Sequence, residues 1–160
     1  MNIDAKAIWQ ALDEVKDPEI PVISLVALGV VRDVAISGPQ VMVTLTPTFS
    51  GCPAFEVMQR EVIERLQQSG IEQVEIKIAL SPPWSSDWIS ETGRRQLKAF
   101  GLAPPPRHSG QVEIVLLDTV ACPFCDATNT TLKNSFGSTL CRAIYYCQTC
   151  QQAFEQFKPL

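Results

Sequence analysis

Apolar and polar positions repeat with two different periods along this chain, and each change of period marks an element. In D-A-K-A-I-W-Q-A-L-D-E-V, Ala5, Ile8, Leu12 and Val15 recur at helical spacing, with Asp4 ahead of them as an N-cap. Asp17-Pro18 predicts the end of that helix, because the residue before a proline avoids helical dihedrals. V-V-R-D-V-A-I-S and Q-V-M-V-T-L-T-P are rich in β-branched residues and flank Gly38-Pro39, which predicts a β-hairpin. In P-A-F-E-V-M-Q-R-E-V-I-E-R-L-Q-Q-S-G, Phe55, Met58, Val62 and Leu66 form one apolar stripe, and Gly70 is a natural terminator. V-E-I-K-I-A-L then alternates as a third strand. The order α-β-β-α-β predicts a small α+β domain.

Beyond Leu80 the pattern breaks. S-P-P-W-S-S-D-W-I-S reads as a loop, and S-E-T-G-R-R-Q-L-K-A-F-G as a short helix between Ser90 and Gly101. L-A-P-P-P-R-H-S-G reads as a semi-rigid linker, and Q-V-E-I-V-L-L-D as one further strand. The expected domains are residues 1–100, a linker at 101–111, and a small C-terminal unit at 112–160. Truncation after about residue 118 is expected to leave the first domain folded.

That C-terminal unit carries five of the six cysteines. Cys122-Pro123-Phe124-Cys125 and Cys147-Gln148-Thr149-Cys150 are two C-x-x-C pairs. Each knuckle lets two thiolates face one ion from a tight turn, and two knuckles complete a tetrahedral shell of sulfur that suits zinc. The spacer, residues 126–146, is slightly longer than the usual range of about 15–20. Strand-like segments follow each knuckle, the layout of a zinc ribbon. So small a unit has little core, which makes the metal the main source of its folding energy. Iron or an iron–sulfur cluster fits the same shell, and two separate redox pairs are the competing reading. Cys141 lies outside both knuckles and reads as a buried strand residue.

Composition narrows the classes. The 160 residues carry a net charge of −4 with 46% hydrophobic content, so a folded core is expected and a general nucleic-acid binder is not. No apolar run is long enough for a membrane span. The first residues are acidic and amphipathic, unlike a signal peptide. Six cysteines without such a signal point to a reducing, cytoplasmic setting.

Cys52 stands before Pro53 at the start of the main helix, so it is expected as the N-cap, where the helix end favours a thiolate. Ser50 and Gly51 leave its approach open. It is either an activated thiol or an inert cap. Asp17 and Glu19 straddle Pro18 and are expected to project together from one rigid turn; a plain helix-stop turn is the alternative. Trp84 and Trp88 flank Asp87 and pack a joint or form a docking patch. His108 reads as solvated, as do Arg94 and Arg95. No phosphate loop, Ser-His-Asp set or di-iron ligand cluster occurs.

D-P-E-I-P-V, L-G-V-V and T-x-T-x-x-x-C-P together resemble the iron–sulfur-assembly domain family that includes SufT. Asp17 and Glu19 match its acidic turn; Thr46, Thr48 and Cys52 match its T-x-T-x-x-x-C-P element. The family usually has an acid before L-G, where this chain has Ala27. With W-S-S-D-W and the cysteine tail added, the whole chain resembles the PaaD-type subunits of the phenylacetyl-CoA epoxidase system. The resemblance implies an accessory subunit in phenylacetate catabolism, not catalytic alone, that assists maturation or assembly of iron centres. It implies as partners an oxygenase with a di-iron centre and a reductase with a [2Fe–2S] cluster and a flavin; a homodimer is a further candidate. The implied cofactors are structural zinc on Cys122, Cys125, Cys147 and Cys150, and transient iron or an iron–sulfur cluster. The alternative is an adaptor that docks the epoxidase components through Trp84 and Trp88.

Overall fold

The computed structural model describes residues 4–107 and 119–160. The strand expected over Q-V-E-I-V-L-L-D and the reading of His108 lie outside the described residues. The chain divides into two compact units, Met1–Trp84 with Trp88–Gly93, and Ser85–Asp87 with Arg94–Leu160.

The first unit follows the predicted order. α1 runs over Ala5–Asp13, and the Asp4 carboxylate accepts from the Lys6 N–H. Its buried stripe is Ile8, Ala11 and Leu12. The helix stops at Asp13, well ahead of Pro18. Val15 is buried beyond its end, where its C=O accepts from the Leu25 N–H. β1 (Val31–Ser37) and β2 (Gln40–Leu45) form the antiparallel hairpin, turned at Gly38, whose φ is +59°. α2 (Phe55–Gln68) buries Phe55, Met58, Val62 and Leu66, the predicted stripe. Gly70 follows with φ +90°, a left-handed conformation that glycine adopts without a Cβ penalty. β3 (Gln73–Ile78) pairs with β2 in parallel, giving the sheet order β1-β2-β3. Val41, Val43 and Leu45 of β2 are fully buried, and α2 packs against β3.

The tryptophan loop is structural at its first position. Trp84 is 4% exposed, and its indole N–H donates to the Leu28 carbonyl at 3.1 Å. Docking through both tryptophans is therefore corrected: an indole whose one donor is used inside its own unit offers nothing to a partner. Trp88 lies under the Arg32 guanidinium, 3.5 Å from its ring centroid.

α3 (Glu91–Ala99) begins after Ser90, whose hydroxyl accepts from the Gly93 N–H; its residues from Arg94 on belong to the second unit. Arg94 is not a solvated residue. It is 8% exposed and donates to the carbonyls of Pro105 and Ser86. Arg95 is exposed, as expected. The linker reading is also corrected, because Leu102–Ala103 form β4, which pairs in parallel with β7 (Ala153–Phe157). Both residues are buried: apolar side chains ahead of the prolines gain more from the sheet than from solvent. β5 (Thr130–Asn134), β6 (Arg142–Cys147) and β7 complete the order β4-β7-β6-β5. Ala103, Val120, Cys122, Ala143, Tyr145, Cys147 and Phe154 form the core, with Tyr145 and Phe154 stacked at 5.8 Å.

The loop between β5 and β6 is fixed by one carboxylate. Glu155 accepts from the Ser138 N–H, the Ser138 hydroxyl and Arg142, whose side chain is 10% exposed. Partial burial raises the Glu155 carboxyl, but these donors outweigh it and hold the group below its ordinary value. Glu155→Gln strands the Arg142 charge, so a stability loss of about 2 kcal/mol is expected at neutral pH. Denaturant titration of both proteins checks this; an unchanged midpoint would refute it.

Candidate metal centre and the turn around Cys52

Two turns of the same kind bring the four tail cysteines together. In the first, the Asp126 N–H donates to the Cys122 carbonyl and the Cys122 N–H to the Ala127 carbonyl, at 2.9 and 3.0 Å. In the second, the Cys147 N–H donates to the Gln152 carbonyl at 2.9 Å. Each turn closes on a non-glycine residue with positive φ, Asp126 at +61° and Gln151 at +58°. Neither was foreseen; only the position directly after each C-x-x-C would have signalled them.

The four Sγ atoms all lie within 4.8 Å of one another. Cys122 and Cys150 are 3.7 Å apart and Cys125 and Cys147 are 3.6 Å apart, sulfur to sulfur. A tetrahedron with metal–sulfur bonds of about 2.3 Å has edges of about 3.8 Å. The donor set therefore fits a tetrahedrally bound metal such as zinc. Cys122 and Cys147 are fully buried within the core, Cys150 packs against it, and Cys125 is exposed. The Cys150 backbone N–H is the main group holding the Cys147 thiol down at about 7, whereas burial and then the neighbouring thiols push Cys150 up to about 12. A bound metal would join the two turns, and binding would expel the remaining thiol protons. Cys141 is buried as expected. It lies one residue ahead of β6, with its sulfur 3.0 Å from the Thr139 hydroxyl.

The acidic turn differs from expectation. Asp17 is 5% exposed, and its Oδ1 accepts from the N–H groups of Glu19 and Ile20, both at 2.8 Å. Its carboxylate thus turns inward to hold the backbone, and Glu19 is half-buried. Proline lacks a donor at position 18, so the two following amides are the ones left to satisfy.

Cys52 is not the N-cap of α2. Ala54 holds that position, in helical conformation and without a side-chain cap. The Phe55 N–H reaches back to the Cys52 carbonyl at 3.2 Å, and the Cys52 N–H to the Phe49 carbonyl at 3.2 Å. A separate turn over Pro53 and Ala54 thus sets the half-buried Cys52 two residues ahead of the cap.

A ladder of backbone bonds joins the two motifs. Asp17 N–H donates to Ile23, Leu25 N–H to Val15, Val30 and Val31 N–H to Leu25, and Thr46 N–H to Val30. Thr46 is 2% exposed and Thr48 half-buried. Among the described residues, Asp17, Glu19 and Cys52 do not form a metal-ligand cluster comparable to that of the tail.

Residues 5–79 match the iron–sulfur cluster assembly protein family, and residues 109–158 match the PaaD zinc beta ribbon domain. The chain is similar to an Escherichia coli (strain K12) protein named as a subunit of 1,2-phenylacetyl-CoA epoxidase. The two are 39% identical over 94% of this chain and 90% of that one. It is 35% identical to an Fe-S protein maturation auxiliary factor of Bacillus subtilis (strain 168), over 52% of this chain and 82% of that one. A solved domain of unknown function, DUF59, from Bacillus anthracis superposes with a TM-score of 0.54 at 27% identity. That match covers 57% of this chain and 89% of that one. The identity to the Escherichia coli protein runs through both the assembly domain and the cysteine tail, so the chain belongs to the PaaD family of phenylacetyl-CoA epoxidase subunits.

Proposed function

We propose that this protein is an accessory subunit of a 1,2-phenylacetyl-CoA epoxidase system in phenylacetate catabolism. Its role is to assist maturation or assembly of the iron or iron–sulfur centres of the oxygenase and reductase components. The observation that carries this reading is the pairing, in one chain, of an iron–sulfur-assembly domain with a PaaD ribbon across nearly the whole length of the Escherichia coli relative. Among the described residues, no helix is long and apolar enough to cross a membrane.

Division of labour follows from the chemistry of each sulfur. Four thiolates around one ion leave no open position, so the ribbon's metal is structural, and zinc is the ion that suits the shell. Cys52 is the remaining thiol with solvent access, since Cys141 is buried. It holds transient iron or sulfur as a soft donor, on a turn pinned by two backbone bonds. Asp17 keeps its own turn rigid, and Glu19 supplies the second carboxylate of that turn. Thr46 and Thr48 shape the loop that leads to Cys52.

Cys52→Ala tests this. Fold and ribbon metal are expected to stay unchanged, while iron occupancy of the oxygenase or reductase from the same cells falls several-fold. Full occupancy of both components and normal growth on phenylacetate would remove Cys52 from the mechanism.

A further inference from the structure

The loop joining β5 to β6 is built rigidly, yet it presents its two largest apolar side chains to water. Phe136 is 62% exposed and Leu140 57%. Both are tied to one cation: the Lys158 ammonium lies 4.9 Å from the Phe136 ring centroid and donates to the Leu140 carbonyl at 2.9 Å. The loop backbone between them is held from inside. Gly137 N–H donates to Arg142 C=O at 2.8 Å, and Arg142 N–H to Thr139 C=O at 3.1 Å. Phe136 N–H donates to the Asn134 side chain at 3.0 Å, and Glu155 gathers Ser138 and Arg142 from below. A Cβ at Gly137 would meet the Glu155 carboxylate at 2.7 Å, so this fit requires glycine.

Such a loop has already lost the conformational freedom that binding would otherwise remove. Two adjacent large apolar groups, exposed and preorganised, are the anatomy of an interface anchor. Charge then identifies the occupant. On this hairpin Glu155 is neutralised by Arg142, while Lys133 and Lys158 are cations resting on the rings of Tyr146 and Phe136. The tip is thus locally basic in a chain of net charge −4. We infer that the Phe136–Leu140 tip is a docking surface that inserts into an apolar groove rimmed by carboxylates on a protein partner. Resting on the function proposed above, that partner is a component of the epoxidase. The proposal assigns the ribbon a recognition task distinct from the thiol chemistry of Cys52.

The test uses the full-length, metal-loaded chain and the purified oxygenase and reductase components, with binding measured at low and high salt. Two variants are compared with wild type: Phe136→Ser with Leu140→Ser, and Lys133→Glu with Lys158→Glu. All these side chains are exposed or half-buried, so ribbon metal content and melting temperature should stay at wild-type values. Wild type should bind one component, more weakly as salt rises, and each double variant should bind it at least tenfold more weakly. Equal binding by wild type and the serine variant would overturn the docking surface while leaving the accessory role standing. If wild type binds neither component, the accessory reading itself fails. If the serine variant instead abolishes self-association of wild type, the occupant is a second copy, and the acidic partner is refuted.

Discussion

Cys122→Ser is expected to unfold the ribbon while the first unit keeps its cooperative transition. Among the described residues, the buried ribbon cluster holds seven side chains, and two of them, Cys122 and Cys147, are themselves proposed metal ligands. Metal binding in small ribbons contributes on the order of 10–16 kcal/mol, as much as the net stability of a whole domain, about 5–15 kcal/mol. Serine cannot supply the fourth thiolate. It also leaves a hydroxyl in a fully buried position beside Tyr145 and Phe154. Amides of β5, β6 and β7 should lose their protection from hydrogen exchange, and bound metal should fall from one ion per chain toward none. Chelation of the wild-type protein should reproduce both effects. The α1, α2 and β1–β3 amides should be untouched, since their core of Leu12, Val43, Val62 and neighbours contains no sulfur ligand. Strong protection of β5–β7 in the metal-free variant would refute the account.

Gly29→Ala should destabilise the first unit by about 3–5 kcal/mol, from two additive causes. Gly29 has φ +78°, where an L side chain is strained. A Cβ there would also sit 2.8 Å from the Trp88 Cβ and 2.9 Å from the Trp88 carbonyl oxygen. Gly38 separates the two causes. Its φ is +59°, but nothing lies within 4 Å of the position its Cβ would take. Gly38→Ala should therefore lose only the backbone share, about 1 kcal/mol. Urea midpoints of the two variants give the comparison, and equal shifts would show that the close approach of Trp88 carries no weight.

The elements that could be read from sequence are those whose evidence is local. The stripe of α2, the β-branched hairpin around Gly38 and the two C-x-x-C knuckles each announce themselves within a few residues. What escaped depends on partners distant in the chain. β4 is two residues long and becomes a strand only because Glu155 and Gln156 of β7 lie beside it. Arg94 occupies a position that any amphipathic reading assigns to water. It is buried because the carbonyls of Ser86 and Pro105 converge on its guanidinium. The inward turn of Asp17 follows from amides that Pro18 leaves unsatisfied, a local cause that was legible in principle. Cys52 shows the limit of a helix-start signal: Pro53 is compatible with the first helical position and equally with the turn before it. For Trp84, the docking role fails on a partner distant in the chain, the Leu28 carbonyl, which takes the indole N–H within the first unit.

The parallel pairing of β2 with β3 orders events during synthesis. The hairpin strands are complete once Leu45 leaves the ribosome, and such hairpins close in microseconds. The second edge of β2 is filled only by β3, which ends at Ile78 after the whole of α2 has been made. At about 5–20 residues per second, the nascent chain spends roughly 2–7 seconds with that edge open and with α2 incomplete. During that interval the chain is a bare template for intermolecular strand addition. Slower translation through α2 should therefore lengthen the exposure of that edge.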